Sequence, residues 1–437
     1  MQRVDEQLGE YRLLARLAKG GQSEVFLAAR SGPHGFFRPV VIKALPDEFK
    51  GERALEALFY QEATISSRFS HPNVITVHDA RRADGEHFMV MDYVAGQTVA
   101  DFAQRSFSSG AGISVDQALL IAADACRGLD YVHSFEDVDC RQYSIVHCDI
   151  SPQNLMVTYS GTTRVFDFGI SQIVGESGAM NTDLVGGKLS YMSPEQCRDE
   201  QLDVRSDIFS LGIIVYELVA QTRLFRHSGG NDDEVKEAIL ERPIDAPSSH
   251  RADLDASIDS MVMRALQRDP DERYDSAGEM RFDIENILQE RGTDIRELRD
   301  GLGNRVEEYF EEERTAVAST LRSARQRLSE QAFMPENIDD SADEPTEREL
   351  ELEEELDDAR EQIDTLQTSA RRATEVASAL SEEVAELQQR QRWYVAGLCV
   401  ISMVALAVAT MAYLSHDEPF VEGDSAVEAS ANPTAGE

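Results

Sequence analysis

The sequence predicts one large α+β domain followed by a C-terminal region of different, strongly charged composition. Residues 11–288 mix short β-branched runs with stretches of helical periodicity, and turn residues separate the two kinds of segment. The chain of 437 residues is long enough for two or three domains, and its apolar content of 42% supports a packed core. After residue 288 charged residues dominate and aromatic residues become rare. We therefore expect the chemistry to lie in the first two thirds of the chain.

The overall charge and the cysteines narrow the class of protein. The formal net charge is −39 at pH 7, which argues against a nucleic-acid partner, because phosphate binding depends on clustered Lys and Arg. None of the five cysteines belongs to a C-x-x-C pair, so neither a zinc site nor a disulfide framework is predicted. The first ten residues are polar and contain no apolar h-region. We expect no signal peptide and a cytoplasmic N-terminal domain.

A glycine-containing hairpin and a strand that ends in a lysine lie near the N-terminus. Residues 17–26 read LAKGGQSEVF, and the β-branched strand at 41–43 ends in Lys43. Glycines let backbone amides approach phosphates, and the lysine would supply a point charge. Alone the signal is weak, because glycine-rich hairpins are common. Glu62 lies in an amphipathic stretch downstream, where it would pair with Lys43 or, alternatively, remain a solvated helix residue.

The decisive segment is IVHCDISPQNLM at residues 145–156, with VFDFG at 165–169 after a short hairpin. It places Asp149 and Asn154 on one predicted loop and Asp167 just beyond the hairpin. Carboxylate and amide oxygens suit Mg²⁺, an ion that bridges phosphates in proteins. The segment therefore predicts phosphoryl chemistry.

In residues 11–288 the chain resembles the eukaryotic-like protein kinases, specifically their bacterial Ser/Thr members. It matches the family order of glycine loop, strand lysine, helix glutamate, H-R-D-x-x-x-x-N, D-F-G and A-P-E, the last as S-P-E at 193–195. Residues 206–212, SDIFSLG, are similar to the family's D-x-W-S-x-G helix start, and Arg273 matches the arginine that pairs with the A-P-E glutamate. The resemblance implies a two-lobed fold, with an N-lobe β-sheet plus one helix and a mainly helical C-lobe.

The resemblance also implies roles for particular residues in transferring phosphate from Mg-ATP to Ser or Thr hydroxyls of proteins, the chain itself included. Asp149 would orient the substrate hydroxyl, Lys43 would hold the α- and β-phosphates and be positioned by Glu62, and Asn154 and Asp167 would bind Mg²⁺. The implied ATP-binding residues, among which Met91 is the gatekeeper, are Leu17, Ala18, Lys19, Gly20, Gly21, Gln22, Ser23, Glu24, Val25, Val41, Lys43, Met91, Asp92, Val94 and Met156. For the apolar members of this set, a place in the ordinary core is the alternative.

Several positions depart from the family pattern. Ala18 and Ser23 replace the first and third glycines of the loop, so we expect a stiffer loop and weaker ATP binding. Cys148 replaces the arginine of H-R-D, and with it the cation that grips a phosphorylated activation loop in many members of the family. We therefore expect activity without loop phosphorylation, although Ser177 and Thr182 remain candidate phosphosites.

Two further departures concern charge near the transferred phosphate. Ser151 stands where Ser/Thr kinases usually carry a lysine, which loosens the Ser/Thr assignment, and Lys188 stands where they usually carry a threonine. Lys188 would supply the missing charge in one hypothesis and is a solvated loop lysine in the other. Together the departures keep open a second hypothesis, a membrane-tethered pseudokinase that binds nucleotide without transferring phosphate. His147 is interpreted as a structural residue of the loop.

The C-terminal region divides into five predicted segments: one or two exposed helices at 289–332, an acidic disordered linker at 333–347, a coiled coil at 348–392, a transmembrane helix at 394–414 and a short exported tail at 415–437. The coiled coil rests on apolar residues spaced alternately by four and three, many of them Ala. It predicts a homodimer, with a single solvated helix or pairing with another heptad protein as alternatives.

The predicted membrane span carries no charge and is long enough to cross a hydrocarbon core of ~30 Å. Arg390 and Arg392 precede it, whereas residues 415–437 contain no Lys or Arg. The positive-inside rule therefore predicts insertion in the inner membrane with the N-terminal domain in the cytoplasm and the tail outside. A third interpretation makes the anchor and the coiled coil the main function, with the catalytic domain as their cargo.

Overall fold

The computed structural model describes residues 5–332, apart from 20–22, 47–48, 138, 140–141, 144, 169–171, 174–185 and 226–231. The chain divides into two units, Met1–Glu336 and Asn337–Glu437, and the described residues belong to the first. The predicted linker, coiled coil, membrane span and tail therefore lie outside the described residues. Within the described part of the chain, no helix is long and apolar enough to cross a membrane.

The N-terminal lobe is an antiparallel sheet with one helix packed against it. Its strands are β1 (Gln7–Leu8), β2 (Tyr11–Lys19), β3 (Glu24–Gly32), β4 (Phe36–Ala44), β5 (Val77–Ala83) and β6 (Glu86–Asp92). The sheet is six-stranded in the order β1-β2-β3-β4-β6-β5. Helix α1 (Arg53–Ser66) buries Phe59 and Ala63 against Val77 and Met89, so one apolar face of the helix closes one face of the sheet.

The C-terminal lobe is mainly helical. Its helices are α2 (Val99–Ser108), α3 (Val115–His133), α4 (Pro194–Cys197), α5 (Val204–Ala220), α6 (Asp232–Glu241), α7 (Ala256–Ala265) and α8 (Ala277–Glu290). Helices α3 and α5 are buried along nearly their whole length, as helices at the centre of a domain must be. Ser114 begins α3 with a capping box in which its side chain accepts from the Gln117 N–H and Gln117 bonds back to the Ser114 N–H.

Short strands hold the loops that carry the predicted chemistry. They are β7 (Gly96–Thr98), β8 (Ile145–Val146), β9 (Leu155–Thr158), β10 (Thr163–Val165) and β11 (Gln172–Ile173). They form the sheets β10-β9-β7 and β11-β8. Because β8 ends immediately before the loop at 147–154 and β9 begins immediately after it, both ends of that loop are fixed.

Two further helices follow the C-terminal lobe, α9 (Ile295–Tyr309) and α10 (Glu311–Ala332). The predicted helices at 289–332 are present, but the prediction that they are exposed is wrong at the residues through which they dock. Leu302 and Val306 of α9 are fully buried in the core of the C-terminal lobe, and Ala324 of α10 is buried in a cluster with strands of the N-terminal lobe.

The charges on these helices are also engaged with the lobes. Arg299 of α9 donates to both carboxylate oxygens of the buried Asp124 at 2.6 and 2.9 Å. Arg105 of α2 donates to Glu313 of α10 at 2.7 Å and lies over the ring of Phe310. Helices α9 and α10 can therefore dock on the lobes although they carry many charges. Their charged residues form ion pairs with the lobes, and their apolar residues share the face that docks.

Candidate active site

The predicted glycine loop lies at the turn of the β2–β3 hairpin. Leu17, Ala18 and Lys19 form the exposed end of β2, and Ser23 precedes β3, which begins at Glu24. Gly20, Gly21 and Gln22 lie outside the described residues. The end of β2 thus presents exposed residues that a ligand can approach.

Strand register places the predicted adenine and phosphate contacts on one face of the N-terminal sheet. Val25 is paired with Lys43, and Val41 is paired with both Leu27 and Met91. Paired residues of antiparallel strands project to the same face, and residues two apart on one strand do so too. Val25, Val41, Lys43 and Met91 therefore face the same side. Lys43 is the one charged member of this group.

The chain leaves the N-terminal lobe directly beside that face. Strand β6 ends at Asp92, and Val94 follows in the short connection to β7, the strand that begins the C-terminal lobe. Met156 of β9 is half-buried and paired with Thr98 of β7. The predicted backbone contacts at 92 and 94 thus lie on the connection between the lobes.

Lys43 joins the two carboxylates on which the phosphate site depends. Its Nζ donates to Glu62 Oε1 at 2.6 Å and to Asp167 Oδ1 at 2.5 Å. Although burial lowers it, the two carboxylates raise the pKa of Lys43 well above its usual value, so the ammonium stays charged. Burial raises the pKa of the Glu62 carboxyl to about 7, against the attraction of Lys43. The strand lysine, helix α1 and the D-F-G segment therefore meet at one ion cluster.

Asp149 and Asn154 form the second half of the site. Asn154 Nδ2 donates to Asp149 Oδ2 and to the Asp149 carbonyl, both at 2.8 Å. The Phe166 N–H donates to the Asn154 carbonyl at 3.1 Å, which places Asn154 beside the start of the D-F-G segment. The amide nitrogen of Asn154 thus donates both hydrogen bonds to Asp149. Asn154 and Asp167 thus offer oxygen donors of the kind Mg²⁺ requires.

Asp207 of α5 holds the backbone of the loop at 147–154, the predicted catalytic loop, in place. Its carboxylate accepts from the His147 N–H at 2.8 Å, from the Cys148 N–H at 2.9 Å and from His133 Nε2 at 2.8 Å. Cys148 has φ 66°, in the left-handed region that costs a non-glycine residue roughly 1–2 kcal/mol. The buried carboxylate offsets that cost and fixes the direction in which Asp149 leaves the turn.

His147 is a structural residue in this arrangement. Its ring accepts from the Asp149 N–H at Nδ1 and donates from Nε2 to the Phe166 carbonyl at 3.1 Å, which requires the Nε2–H tautomer. The ring also packs against Phe168, with centroids 4.5 Å apart. His147 thereby links the loop of Asp149 to the D-F-G segment.

The departures from the family pattern have distinct environments. Cys148 is buried in an apolar cluster with Val146 and Leu202, so an apolar contact occupies the place of the usual arginine. Ser151 is fully buried, and its Oγ has no hydrogen-bond partner among the residues that the structure describes. The side chain of Lys188 lies outside the described residues, as do Gly169, Ser177 and Thr182.

The S-P-E segment is tied to the C-terminal lobe by a buried ion pair. Arg273 donates to Glu195 Oε1 at 2.7 Å and to Oε2 at 2.9 Å, and its side chain is completely buried. Such bidentate pairs fix geometry as well as charge. Gln196 donates to the Cys148 carbonyl at 2.7 Å, and this bond connects the segment to the loop at 147–154. No sequence pattern predicts it.

A family model of the protein kinase domain matches residues 11–289 of the chain. The chain belongs to the protein kinase family. The two lobes described above are those of the protein kinase fold.

Among curated kinases, the chain is 33% identical over 313 residues to tyrosine-protein kinase MasK of Myxococcus xanthus, covering 72% of this chain and 48% of that protein. It is 32% identical over 293 residues to serine/threonine-protein kinase PknB of Mycolicibacterium smegmatis, covering 65% and 44%. The chain thus spans less than half the length of these relatives. The solved kinase domain of Mycobacterium tuberculosis PknI has a TM-score of 0.48 and 23% identity, over 64% of this chain and 97% of that one.

Proposed function

We propose that this chain is an Mg-ATP-dependent protein kinase that phosphorylates Ser and Thr hydroxyls of proteins, its own included. The observation that carries the proposal is the ion cluster of Lys43 with Glu62 and Asp167, set beside the hydrogen-bonded pair of Asp149 and Asn154. Catalysis of phosphoryl transfer is almost entirely positioning and neutralisation of charge, and these are the residues that supply both.

Each residue of the cluster has a role that follows from its contacts. Lys43 holds the α- and β-phosphates and is oriented by Glu62. Asp149, itself oriented by Asn154, accepts the hydrogen bond of the substrate hydroxyl and aligns its oxygen for attack. Asn154 and Asp167 hold Mg²⁺ through their side-chain oxygens. Bound ATP would supply the phosphoryl group, and its Mg²⁺ ion would supply the positive charge that stabilises the transfer.

The identity of the acceptor hydroxyl needs a direct test. The matched relatives include several proteins named serine/threonine-protein kinases, but also MasK, which is named a tyrosine-protein kinase. Ser151 stands where Ser/Thr kinases usually carry a lysine. We favour Ser and Thr because the segment Ser151-Pro152-Gln153 has none of the features of tyrosine kinases.

The test uses the full-length chain, labelled ATP and magnesium, followed by acid hydrolysis to identify the phosphorylated amino acid. Wild type is compared with Asp149→Asn and Lys43→Met, and with Asp300→Asn as a control on an exposed position of α9. Phosphoserine or phosphothreonine that disappears in the two site variants and persists in the control supports the proposal. Phosphotyrosine would correct the acceptor, and label that persists in Asp149→Asn would refute the assigned site.

A second candidate function is a pseudokinase that binds nucleotide and does not transfer phosphate. It is favoured by the loss of two loop glycines and by the buried Ser151 in place of a cation. Binding of Mg-ATP by the wild type, with no label incorporated into the chain or into added protein substrates, would establish this alternative.

We further propose that the kinase domain is tethered to the inner membrane by residues 394–414 and dimerises through residues 348–392. The support is the uncharged apolar run, the heptad pattern before it and the arginines on one flank only. Accessibility labelling of cysteines introduced singly at Ser381 and Ser425 in intact and permeabilised cells tests the orientation. Labelling of position 425 in intact cells and of position 381 only after permeabilisation is expected; the reverse pattern would overturn it.

A further inference from the structure

Helix α10 packs against the N-terminal lobe through an apolar cluster. Ala324, which is 1% exposed, lies in this cluster with Leu14 of β2 and with Leu27 and Ala29 of β3. Val317 and Leu321 of the same helix pack around it. The small side chain at 324 allows the helix to approach the sheet closely, because a larger residue would have no room between them.

The covered part of the sheet is continuous with the predicted nucleotide site. Leu27 follows Val25 by two residues on β3 and is paired with Val41 on β4. By the alternation of strand side chains, Leu27 and Ala29 therefore project to the same face as Val25 and Val41, the predicted adenine contacts. Helix α10 thus covers the portion of that face next to the predicted adenine contacts.

The connection between the lobes is part of the same contact. Tyr93 stands between Asp92 and Val94, whose backbone groups are predicted to bind the adenine edge, and its half-buried side chain packs against the cluster of α10. Displacing α10 would remove the support of this side chain. The backbone on either side of Tyr93 would then lose one of the contacts that fix its position.

The other end of this helical extension is anchored to the C-terminal lobe. Leu302 and Val306 of α9 are fully buried there, and Arg105 of α2 pairs with Glu313 at the start of α10. Residues 295–332 therefore contact both lobes and the connection between them. This extension lies beyond residue 289, where the match to the kinase family model ends.

We propose that α10 is a positioning element of the nucleotide site, which holds Tyr93 and the β2–β3 strands in the arrangement that binds Mg-ATP. The inference rests on the proposed function for the identity of the ligand. When α10 is released from the sheet, only a fraction of the molecules retains the binding arrangement. The apparent affinity for nucleotide falls in proportion to that fraction.

The test compares Ala324→Glu with Ala318→Glu in the full-length chain. Position 324 is buried against the sheet, whereas position 318 is exposed on the same helix, so helix propensity and added charge are matched. Binding is measured with Mg-ATP by displacement of a fluorescent nucleotide, and KM for ATP and kcat are measured separately. We expect Ala324→Glu to raise the Kd and KM by about tenfold with little change in kcat, and Ala318→Glu to change none of them.

A further variant keeps the inference testable if Ala324→Glu fails to fold. Leu321→Ala trims a partly buried contact and should raise the Kd for Mg-ATP less, in the same direction. Wild-type Kd in folded Ala324→Glu, or in Leu321→Ala if the first variant does not fold, would overturn the inference. A fall in kcat at unchanged KM would do so too. A wild type that binds Mg-ATP without transferring phosphate would refute the proposed function, and the ratio of Kd values would still decide the role of α10.

Discussion

Ionisation of Glu62 is expected to determine how the activity of the protein depends on pH. Burial raises the pKa of its carboxyl to about 7, against the attraction of Lys43. Only the carboxylate form pairs fully with the ammonium group. We therefore expect kcat/KM for ATP to fall as the pH drops through about 7, because this parameter reports ionisations of the free enzyme.

The control for this prediction is Glu62→Gln, which keeps the size of the side chain and removes its titration. Its kcat/KM for ATP should be low at alkaline pH and should lack the step seen in the wild type. A wild-type profile that is flat across this pH range would contradict the assignment of the step to Glu62.

Glu195 and Arg273 form a buried ion pair that we expect to contribute strongly to stability. Removal of one partner of a buried pair leaves an uncompensated charge and costs about 3–5 kcal/mol. We expect this loss in the free energy of unfolding of Glu195→Gln, measured by urea denaturation. Asp271→Asn is the matched control: its carboxylate, 85% exposed, pairs with Arg205, and exposed pairs contribute only about 0–1 kcal/mol. Equal losses in the two variants would contradict the prediction.

The same pair has a defined dependence on pH. Although burial raises it, hydrogen bonds from Arg273 lower the pKa of Glu195 below its usual value of 4.5. A carboxyl with a lowered pKa in the folded state contributes stability above its unfolded pKa and loses it as the pH falls through the folded value. The stability difference between wild type and Glu195→Gln should therefore shrink in acid, below about pH 4.5.

The environment of Cys148 indicates whether the kinase depends on phosphorylation of its activation loop. Its side chain lies among Val146 and Leu202, so this position provides an apolar contact and no cation for a phosphorylated loop. We expect a Ser177→Ala/Thr182→Ala variant, dephosphorylated beforehand, to retain the kcat of the wild type on an added protein substrate. A large fall in kcat would show that loop phosphorylation acts through another cationic residue.

At the scale of elements, helix α9 offers a sharp test of docking. A Cβ at Gly303 would lie 2.5 Å from the Tyr159 carbonyl oxygen, whereas a Cβ at Gly301 meets nothing within 4 Å. Gly303→Ala should therefore lower the free energy of unfolding by about 1–3 kcal/mol, as overpacking does. Gly301→Ala, on the same helix, should raise it by about 0.5–1 kcal/mol. Thermal unfolding of both variants measures these changes in stability. Equal shifts of the unfolding temperature would show that α9 does not dock tightly.

Helices α9 and α10 also show where sequence reasoning failed. Leu298, Leu302 and Val306 recur at a spacing of four, which is an apolar seam visible in the sequence. The density of charge around it suggested an exposed helix, because nothing in a single sequence reveals that Arg299 pairs with a buried Asp124. On α10 the buried contact is Ala324, a residue too small to mark a helix face as apolar.

At the scale of the whole molecule, the sequence predicts best the contacts between residues that belong to the ordered kinase motifs. The strand lysine, the helix glutamate and the D-F-G aspartate meet because the order of elements brings them together, so Lys43 contacts both carboxylates. Contacts between residues that are far apart in the sequence and belong to no motif cannot be predicted in this way. The packing of Tyr93 against the cluster of α10 and the bond from Gln196 to the Cys148 carbonyl are of this kind.

The proposed tether predicts how autophosphorylation depends on protein concentration. Two kinase domains joined by a coiled coil meet at an effective concentration that is about millimolar for a short flexible connection and independent of bulk concentration. The initial rate of autophosphorylation per molecule should therefore be constant as the wild type is diluted.

Replacing residues 347–392 by a Gly/Ser segment of equal length keeps the reach of the chain and removes the heptads. In that variant the rate per molecule should fall in proportion to concentration, while phosphorylation of an added protein substrate stays unchanged. A rate that remains independent of concentration in the variant would mean that the reaction occurs within one chain, and that the heptad region does not bring the catalytic domains together.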